Sequence, residues 1–381
     1  MRTVLTNGRV LTGEGLRDDV AVILDGDRIA DLVAANAAPD GARVDLDGGT
    51  LLPGFIDTQV NGGGGVLFND EPTVEGIAAI AAAHRKFGTT GFLPTLISDD
   101  LDVIDRAMRA VETAVEQGVP GVLGIHIEGP YLSARRRGIH SLDRLRDLDE
   151  EGLALLTSLK RGRTLVTVAP EAATPAMIGR LAAAGVVVAI GHTNAGYDEA
   201  RRALDAGATG VTHLFNAMSQ LGNREPGVVG AAMDDPDCWC GLIVDGRHVH
   251  DATLKIALRA RPLDRFMLVT DAMPSVGMTD KVFELHGRRI TVQDGVCMDE
   301  HGTLAGADLD MASAVRNAVE RLGLTLPQAA FMASAAPAAF MGLSDRRGRI
   351  EPGLMADMVL LGEGGHTVRT WIAGEEERVN S

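Results

Sequence analysis

The chain has 381 residues, of which 45% are apolar, and a formal net charge of −16. This acidic balance disfavours nucleic acid and anionic membrane surfaces as partners. The sequence contains no apolar run of the roughly 18–20 residues that span a bilayer. At roughly 150 residues per domain, the length allows two or three domains, or a single large α/β barrel.

The N-terminal sequence MRTVLTNGRV lacks the apolar segment and the small-residue cleavage site of a secretion signal. The three cysteines, Cys238, Cys240 and Cys297, form no CxxC pair. Their odd, sparse number indicates a reducing compartment. We therefore expect a soluble protein of the cytoplasm.

The two ends of the chain share a β-rich character. Residues 1–50 contain short strand-like runs broken by Asn-Gly and Asp-Gly turns, and the C-terminal sequence GRIEPGLMADMVLLGEGGHTVRTWIAGEE repeats this style. We predict a small discontinuous β-sandwich domain built from residues 1–52 and 346–381. Residues 53–345 would form the catalytic domain between these two segments.

Within 53–345, short β-rich runs alternate with Ala-rich runs that have apolar residues at helical spacing. Such alternation indicates a parallel sheet buried on both faces, and eight units over about 290 residues fit a (β/α)8 barrel. The predicted strands are 51–58, 90–96, 122–129, 165–171, 186–193, 211–217, 241–248 and 265–272. The predicted helices between them include 73–87, 101–117, 174–184 and 197–206.

A doubly wound open sheet is the alternative fold. It would more usually carry a GxGxxG phosphate turn after its first strand, and the run NGGGG at 61–65 lacks that spacing. After the eighth strand, residues 283–304 predict a β-hairpin insertion. Helices at about 308–322 and 326–341 would complete the barrel wall.

Acidic and histidine side chains recur where the predicted strands end. Glu128 follows the third strand, His192 the fifth, and His213 lies at the sixth. The carboxyl ends of barrel strands carry the chemistry of such folds, and buried charge is costly unless it is paired or metal-bound. Two histidines and one carboxylate leave a fourth position open on a tetrahedral ion, which is the pattern of a catalytic site.

Asp271 ends the eighth predicted strand, away from the proposed ligands. It could take a proton from water and pass it to a leaving amine. The alternative is that Asp271 caps a helix after strand eight, which is a common role for aspartate. The strand position alone does not decide between the two.

Several sequence motifs carry a family resemblance. PGFIDTQVNGGGG, HIEGPYL, GHTNA, THLFNAM, REPG, DGRHV and VTDAM occur in this order and spacing. The chain resembles the N-acetylglucosamine-6-phosphate deacetylases of the amidohydrolase superfamily over nearly its whole length. PGFID and the exit motif EPGLMADMVLL are shared across the superfamily, whereas GHTNA and THLFNAM with REPG are specific to the deacetylases.

The resemblance implies a homodimeric enzyme in which Glu128, His192 and His213 bind the metal and Asp271 is the catalytic acid and base. His140 would contact the sugar or the acetyl carbonyl. Arg224 and His248 would lie near the phosphate, with part of the phosphate site near the subunit interface. The remaining substrate-binding residues that it implies are Gly138, Ile139, Asn216, Ala217, Asp245, Leu304, Ala305, Gly306 and Ala307.

Two departures from the wider pattern carry consequences. Many superfamily members have HxH after strand one, but this chain has Gln59 and Asn61, whose amides are poor ligands for transition metals. We therefore expect one divalent ion per subunit, with zinc favoured and iron, cobalt or manganese as alternatives. Ala307 stands where related sequences often have Ser, so a hydroxyl contact is not expected there.

Other polar residues are interpreted as structural. His126 lies two residues before Glu128 and is expected in the core or behind the ligands, and His250 in a solvated loop. The basic run Arg135 to Arg137 is interpreted as a solvated loop, although it could also form a lid that attracts a phosphorylated sugar. Cys238 and Cys240 are expected to be packing residues.

Two other functions compete with deacetylation. A cyclic amidase or deaminase would use the same rim, but HxH after strand one and a carboxylated Lys on strand four would favour it, and strand four reads LVTVAPE. A catalytically silent barrel could instead act as a scaffold. Such a protein would not need a complete set of one glutamate, two histidines and one aspartate.

Overall fold

The centre of the molecule is a parallel barrel. The structure is a computed structural model that describes residues 2–379. In this part of the chain, eight strands form one parallel sheet in chain order, and a bridge between Val60 and Ala272 joins the last strand to the first. The prediction of a (β/α)8 barrel is confirmed. The barrel strands are Phe55–Val60, Thr89–Ile97, Gly124–Glu128, Arg163–Val168, Val187–Ile190, Gly210–Val211, Trp239–Leu242 and Phe266–Leu268.

Helices surround this sheet and bury their apolar faces against it, as the helical spacing of apolar residues predicted. Side-chain caps fix where several of them begin: Thr73 accepts from the Gly76 amide at 3.0 Å, and Asp310 from the Ser313 amide at 2.8 Å. The α-helices are Val74–Arg85, Leu101–Glu116, Glu150–Leu156, Pro175–Ala183, Tyr197–Asp205, Gly227–Asp234, Asp251–Ala260, Met311–Glu320, Leu326–Ala333 and Ala335–Phe340. The short 3-10 turns are Ala35–Ala37, Ala134–Arg136, Leu142–Arg144, Leu263–Arg265 and Glu363–Gly365.

The first predicted strand, 51–58, is wrong as a single element. It divides at Gly54 into Thr50–Pro53, which pairs antiparallel with Met358–Leu361, and the barrel strand Phe55–Val60. A Cβ at Gly54 would lie 2.0 Å from Thr90 Oγ1, so the close packing at the change of sheet requires glycine.

The sixth and seventh strands are shorter at their carboxyl ends than predicted. The sixth is Gly210–Val211 and the seventh is Trp239–Leu242, whereas we expected 211–217 and 241–248. After Val211 the chain turns, with positive φ at His213, Phe215 and Ala217. Left-handed residues interrupt a strand ladder, and β-propensity alone does not reveal them.

Both ends of the chain contribute to two further sheets. The β-rich ends therefore form sheets together, while the exact bounds 1–52 and 346–381 stay a prediction. Their shared core includes Leu5, Val22, Leu51, Met358 and Trp371. One sheet contains Arg2–Thr6, Val20–Asp25, Arg28–Ala34 and Ala42–Asp45, and the other contains Arg9–Thr12, Gly15–Arg17, Thr50–Pro53, Met358–Leu361, Thr367–Ile372 and Glu375–Arg378.

The insertion after strand eight is larger than the predicted hairpin. It is a four-stranded antiparallel sheet of Val282–Leu285, Arg288–Gln293, Val296–Met298 and Leu304–Ala307. Its apolar face packs on Met273 and Ile97 above the barrel, and a two-stranded ribbon of Gly62–Gly63 and Val66–Leu67 lies beside it. The insertion therefore covers one side of the barrel mouth. Across residues 2–379, none of the helices has both the length and the apolar character needed to cross a membrane.

Candidate active site

Glu128, His192 and His213 meet at the carboxyl end of the barrel. Glu128 Oε1 lies 3.3 Å from His192 Nε2 and 3.1 Å from His213 Nε2, and the two imidazole nitrogens are 3.1 Å apart. Tetrahedral ligands at about 2.0–2.2 Å from one ion are about 3.3–3.6 Å from one another. All three side chains are buried. Their three donor atoms therefore fit a single divalent ion.

The backbone at these positions has an unusual conformation. His192, His213 and Asp271 each follow a barrel strand with positive φ, at 47°, 32° and 53°. Non-glycine residues in the left-handed region are uncommon and cost of order 1–3 kcal/mol unless their surroundings hold them. This conformation turns each side chain from the strand end into the barrel mouth. The placement of these three side chains is therefore maintained at a cost in local backbone stability.

The second nitrogen of His192 has a defined partner. Its Nδ1 lies 3.0 Å from the carbonyl oxygen of Arg136 and donates to it, which leaves Nε2 unprotonated and directed at Glu128 and His213. Hydrogen bonds of this kind fix the tautomer of a metal-binding histidine. A bond from the Ser133 amide to the His192 carbonyl, 2.9 Å, fastens the same loop.

His140 is a further buried histidine near these groups. A ring nitrogen of His140 lies within 4.8 Å of the donor atoms of Glu128 and His192, so this trio is an alternative ligand set. However, His140 Nδ1 accepts from the Ser98 amide at 3.3 Å and lies 2.8 Å from Ser98 Oγ. Its Nε2 therefore carries the proton and acts as a donor. Burial and His192 hold the pKa of His140 well below its usual value, which keeps the ring neutral.

Asp271 is held beside the ligand group by two amides. Asn61 Nδ2 donates to Asp271 Oδ1 at 2.7 Å, and Gln59 Nε2 lies 3.1 Å from both Asp271 Oδ1 and Glu128 Oε1. The first-strand amides thus place N–H donors where HxH would place metal ligands. Burial and the charge of Glu128 raise the pKa of Asp271, which makes it a stronger base than an exposed aspartate.

The alternative role of Asp271 as a helix cap is excluded. In residues 2–379, the next α-helix after strand eight is Met311–Glu320, and its cap is Asp310. Likewise, His250 is not simply a solvated loop residue. It caps Asp251–Ala260 through an Nδ1 contact of 3.1 Å to the Ala252 amide, although its side chain is exposed.

His126 belongs to the core behind Glu128, His192 and His213, as the sequence suggested. Its Nε2 lies 2.8 Å from Thr167 Oγ1 and its Nδ1 lies 3.3 Å from Thr95 Oγ1. Burial lowers the pKa of His126 to about 4, so the ring is neutral near pH 7. Cys238, Cys240 and Cys297 are free and buried.

A cavity of about 390 Å³ opens over these groups. This volume lies within the range of about 300–1,000 Å³ typical of small-molecule sites. Of the residues that the resemblance implied, those that line it are Glu128, Gly138, Ile139, His140, His192, His213, Asn216, Ala217, His248, Asp271, Leu304, Ala305 and Gly306. Ala307 lies just behind this wall, and its amide donates to the Asp271 carbonyl at 2.9 Å.

Asp245 does not line the cavity but holds His248 in place. Asp245 Oδ2 lies 2.6 Å from His248 Nδ1, and Asp245 Oδ1 accepts from the amides of Arg247 and His248 at 2.8 and 2.9 Å. Burial acts to raise the pKa of Asp245, but the bonds from His248 and these amides lower it overall. The carboxylate therefore leaves His248 Nε2 as the atom available to the cavity.

Arg224 is the implied residue that the structure does not bring to the cavity. Its side chain is exposed on the loop before Gly227–Asp234, and it forms no ion pair with Glu225 in the described part of the chain. Glu225 instead accepts from the amides of Tyr197 and Gly227 at 2.7 and 2.9 Å. A phosphate contact from Arg224 within one chain is therefore not supported.

The arginine run before His140 contributes to the cavity wall, which the interpretation as a solvated loop did not anticipate. Arg135 and Arg136 both line the cavity. Arg136 also bonds Asn194 Oδ1 at 3.1 Å, in the loop that follows His192. Ser98 and the apolar wall residues Ile97, Met273 and Leu285 were not identified as site residues from the sequence. These residues have no chemical signature that could distinguish them from core residues.

Comparisons with known proteins agree with this geometry. The Amidohydrolase family model matches residues 50–376. The chain is 42% identical to an N-acetylgalactosamine-6-phosphate deacetylase of Shewanella sp. (strain ANA-3), covering 98% of this chain and 95% of the relative. It is 34% identical to the N-acetylglucosamine-6-phosphate deacetylase of Haemophilus influenzae, covering 98% and 99%.

Solved structures give the same result. The N-acetylglucosamine-6-phosphate deacetylase of Pasteurella multocida matches with a TM-score of 0.96 at 33% identity, covering 99% of this chain and 100% of that one. An aspartate-to-alanine variant of the Mycobacterium smegmatis enzyme, in complex with N-acetyl-D-glucosamine-6-phosphate, matches with a TM-score of 0.91 at 35% identity, covering 98% and 99%. The fold and its ligand group define a metal-dependent hydrolase. The chain belongs to the amidohydrolase family.

Proposed function

We propose that the protein hydrolyses the acetamide of N-acetyl-D-glucosamine 6-phosphate to give D-glucosamine 6-phosphate and acetate. The observation that carries this proposal is the convergence of Glu128, His192 and His213 within 3.3 Å beside Asp271, in a cavity of about 390 Å³. The full-length similarity to deacetylases of amino-sugar phosphates supports the choice of substrate.

One divalent ion per chain, with zinc favoured over iron, cobalt or manganese, would be held by Glu128, His192 and His213. Such an ion would polarise the amide carbonyl and lower the pKa of a water molecule toward neutrality. Gln59 and Asn61 support a single ion, because their N–H groups already occupy Asp271 and Glu128. A second cation beside those carboxylate oxygens would face N–H hydrogens instead of lone pairs.

Asp271 is the group placed to move protons. As a carboxylate of raised pKa it accepts a proton from the attacking water, and it then gives that proton to the leaving nitrogen of the amine. The bonds from Asn61 and Gln59 to one oxygen, Oδ1, leave Oδ2 directed to this task. His140, with its proton on Nε2, donates to the acetyl carbonyl or to a sugar hydroxyl.

The remaining implied residues form the sugar and phosphate pocket. His248, fixed by Asp245, offers Nε2 to the phosphate. The backbone amide of Asn216 already donates to the His213 carbonyl at 2.9 Å, which leaves the backbone amide of Ala217 as the donor that this turn offers to the phosphate. Gly138, Ile139, Leu304, Ala305 and Gly306 shape the walls. Arg135 and Arg136 add positive charge to a protein of net charge −16.

The protein acts as a homodimer in the cytoplasm in this proposal. Arg224, exposed and away from the cavity of its own chain, would reach the phosphate bound in the partner subunit. A guanidinium offers a forked pair of donors to phosphate oxygens. The free cysteines are consistent with a reducing compartment.

A second candidate substrate is the galactosamine epimer. The relative with 42% identity is named for N-acetylgalactosamine 6-phosphate, and so is a relative from Escherichia coli O157:H7 with 36% identity. The chemistry at the acetamide is the same for both sugars, since they differ only in the configuration of the C4 hydroxyl. Recognition at C4 would then decide the preference.

The test is a deacetylation assay that compares four substrates: N-acetylglucosamine and N-acetylgalactosamine, each with and without the 6-phosphate. Acetate release from the glucosamine phosphate at the highest kcat/KM supports the proposal. A preference for the galactosamine phosphate would favour the second candidate. Activity on hydantoin or dihydroorotate without acetate release would instead support a cyclic amidase, although strand four, Arg163–Val168, offers no lysine.

A further inference from the structure

The two strands that close the barrel are joined in an unusual way. Every other pair of neighbouring barrel strands in residues 2–379 shares a ladder of two or more paired residues, but the first and last share the single bridge Val60–Ala272. Asp271, the proposed base, lies at this seam. After Asp271, the Ala272 carbonyl accepts from the backbone amides of Asn61 and Gly62 at 2.9 and 3.0 Å. Before Asp271, no backbone hydrogen bond of the described chain joins strand eight to strand one, so side chains must hold that part of the seam.

Asp57 and Thr270 join the two strands on the side before Asp271. Both are fully buried, and Asp57 Oδ2 lies 2.5 Å from Thr270 Oγ1. Asp57 Oδ1 accepts hydrogen bonds from two backbone amides, that of Thr270 at 3.3 Å and that of Gln59 at 3.2 Å. Thr270 Oγ1 also lies 3.3 Å from the Gln59 carbonyl and 3.2 Å from the Ala272 amide. The pair thus binds the residues on both sides of Asp271 to strand one.

A carboxyl group at this buried position is unfavourable for folding, so a role in stability alone does not explain its presence. No Lys or Arg of the described chain forms an ion pair with Asp57, and a buried carboxyl without a cation is unfavourable. The link also persists in either protonation state, because an ionised Asp57 accepts from the Thr270 hydroxyl and a protonated one donates to it. Its hydrogen bonds end on Gln59, whose side chain contacts Asp271 Oδ1 at 3.1 Å, and on Thr270, which directly precedes Asp271 in the chain.

We propose that Asp57 and Thr270 are positioning residues for the hydrolytic reaction, which act through Gln59 and the backbone of Asp271 to hold its carboxylate at the barrel mouth. This inference rests on the proposed function for the reaction it serves. Neither side chain lines the cavity, so both act without touching the substrate. A displacement of about 1 Å at a catalytic group is enough to cost about a hundredfold in rate.

Three variants with their native metal test the inference. Thr270→Val removes the hydroxyl at nearly constant shape, Thr270→Ser restores it, and Thr90→Val makes the same change at a buried threonine at the opposite end of the barrel. We expect Thr270→Val to lower kcat about tenfold to a hundredfold with KM within about threefold and with full metal content. Thr270→Ser and Thr90→Val should keep kcat within about threefold of the wild type.

Wild-type kcat in metal-loaded Thr270→Val would overturn the inference, and so would an equal loss in Thr90→Val. If Thr270→Val does not fold, Thr270→Ala removes the same hydroxyl without added bulk. Failure of both to fold while Thr90→Val folds would assign the pair to stability alone and also overturn it. A crystal structure of the variant separates this question from the proposed function: an unmoved Asp271 carboxylate contradicts the inference whatever the substrate is.

Discussion

The side-chain amide of Asn61 donates a 2.7 Å hydrogen bond to Oδ1 of Asp271. The bond joins the first barrel strand to the end of the eighth and fixes which oxygen of Asp271 faces the cavity. Burial and the charge of Glu128 raise the pKa of the same carboxyl group. Asp271 is therefore oriented and basic, and it lies beside the three donor atoms that converge at Glu128, His192 and His213.

We expect Asp271→Asn to keep its metal and to lose nearly all turnover. An amide cannot accept a proton from water, and general acid and base catalysis contributes roughly 10²–10⁴-fold. The measurement is kcat together with metal content, with the exposed Asp294→Asn as a control for the loss of one charge. A variant that retains most of the wild-type kcat at full metal occupancy would contradict the assignment.

His192→Ala should reduce the metal content of the purified protein from about one ion per chain to well below it. His192 contributes one of the three converging donor atoms, and a site with two remaining ligands binds metal weakly. Elemental analysis after gel filtration measures the change. His126→Ala is the matched control, since His126 is buried nearby but bonds Thr167 and Thr95. Undiminished metal in His192→Ala would refute the ligand set.

The double variant Gln59→His, Asn61→His should bind about two ions per chain. Imidazole at these positions would replace N–H donors by lone pairs beside Asp271 and Glu128. Elemental analysis of protein reconstituted with excess zinc and then desalted gives the stoichiometry. Two tightly bound ions in the wild type would contradict the single-ion prediction, and about one in the double variant would show that the ligand change alone is not sufficient.

Much of the fold could be predicted because its signals are local. Alternating apolar strands and helices gave the barrel, and Glu128, His192 and His213 were recognisable because ionisable residues ended three separate strands. The break at Gly54 could not be predicted, since it follows from close packing against the distant Thr90. The turn after Val211 could not be predicted either, because β-propensity does not reveal left-handed residues. The same applies to Ser98, whose contact with His140 joins residues 42 positions apart.

The pH dependence of stability should change in Asp57→Asn. Burial raises the pKa of Asp57 to about 7 in the folded protein. An unfolded aspartate titrates near pKa 3.9, so the stabilising contribution of protonated Asp57 is complete below about pH 4 and is lost as the pH rises through about 7. Asparagine does not titrate. The unfolding free energy of Asp57→Asn should therefore rise relative to that of the wild type as the pH increases over this range.

Urea unfolding at several pH values between about 4 and 8 tests this expectation. The difference in unfolding free energy between Asp57→Asn and wild type should grow with pH, with a slope of at most about 1.4 kcal/mol per pH unit. The exposed Asp237→Asn controls for the loss of one carboxylate. A difference that is constant with pH, or that shrinks as the pH rises, would show that Asp57 is ionised throughout this range.

Arg224→Ala should impair activity on the 6-phosphate and leave activity on free N-acetylglucosamine nearly unchanged. Within a general field of net charge −16, phosphate binding depends on local donors. A charged hydrogen bond contributes about 1.5–3 kcal/mol, so losing it should lower kcat/KM by about one to two decades. Equal losses on both sugars would mean that Arg224 supports the fold and does not recognise the phosphate.

Mixed dimers determine which subunit Arg224 serves. Arg224→Ala chains, whose kcat/KM on the phosphate is lowered by about one to two decades, and nearly inactive Asp271→Asn chains are combined by refolding or coexpression. If Arg224 reaches the partner's cavity, the Arg224→Ala chain keeps its own Asp271 and receives Arg224 from the Asp271→Asn chain, so one complete site forms per mixed dimer. If Arg224 serves its own chain, neither site is complete, and mixing restores no activity.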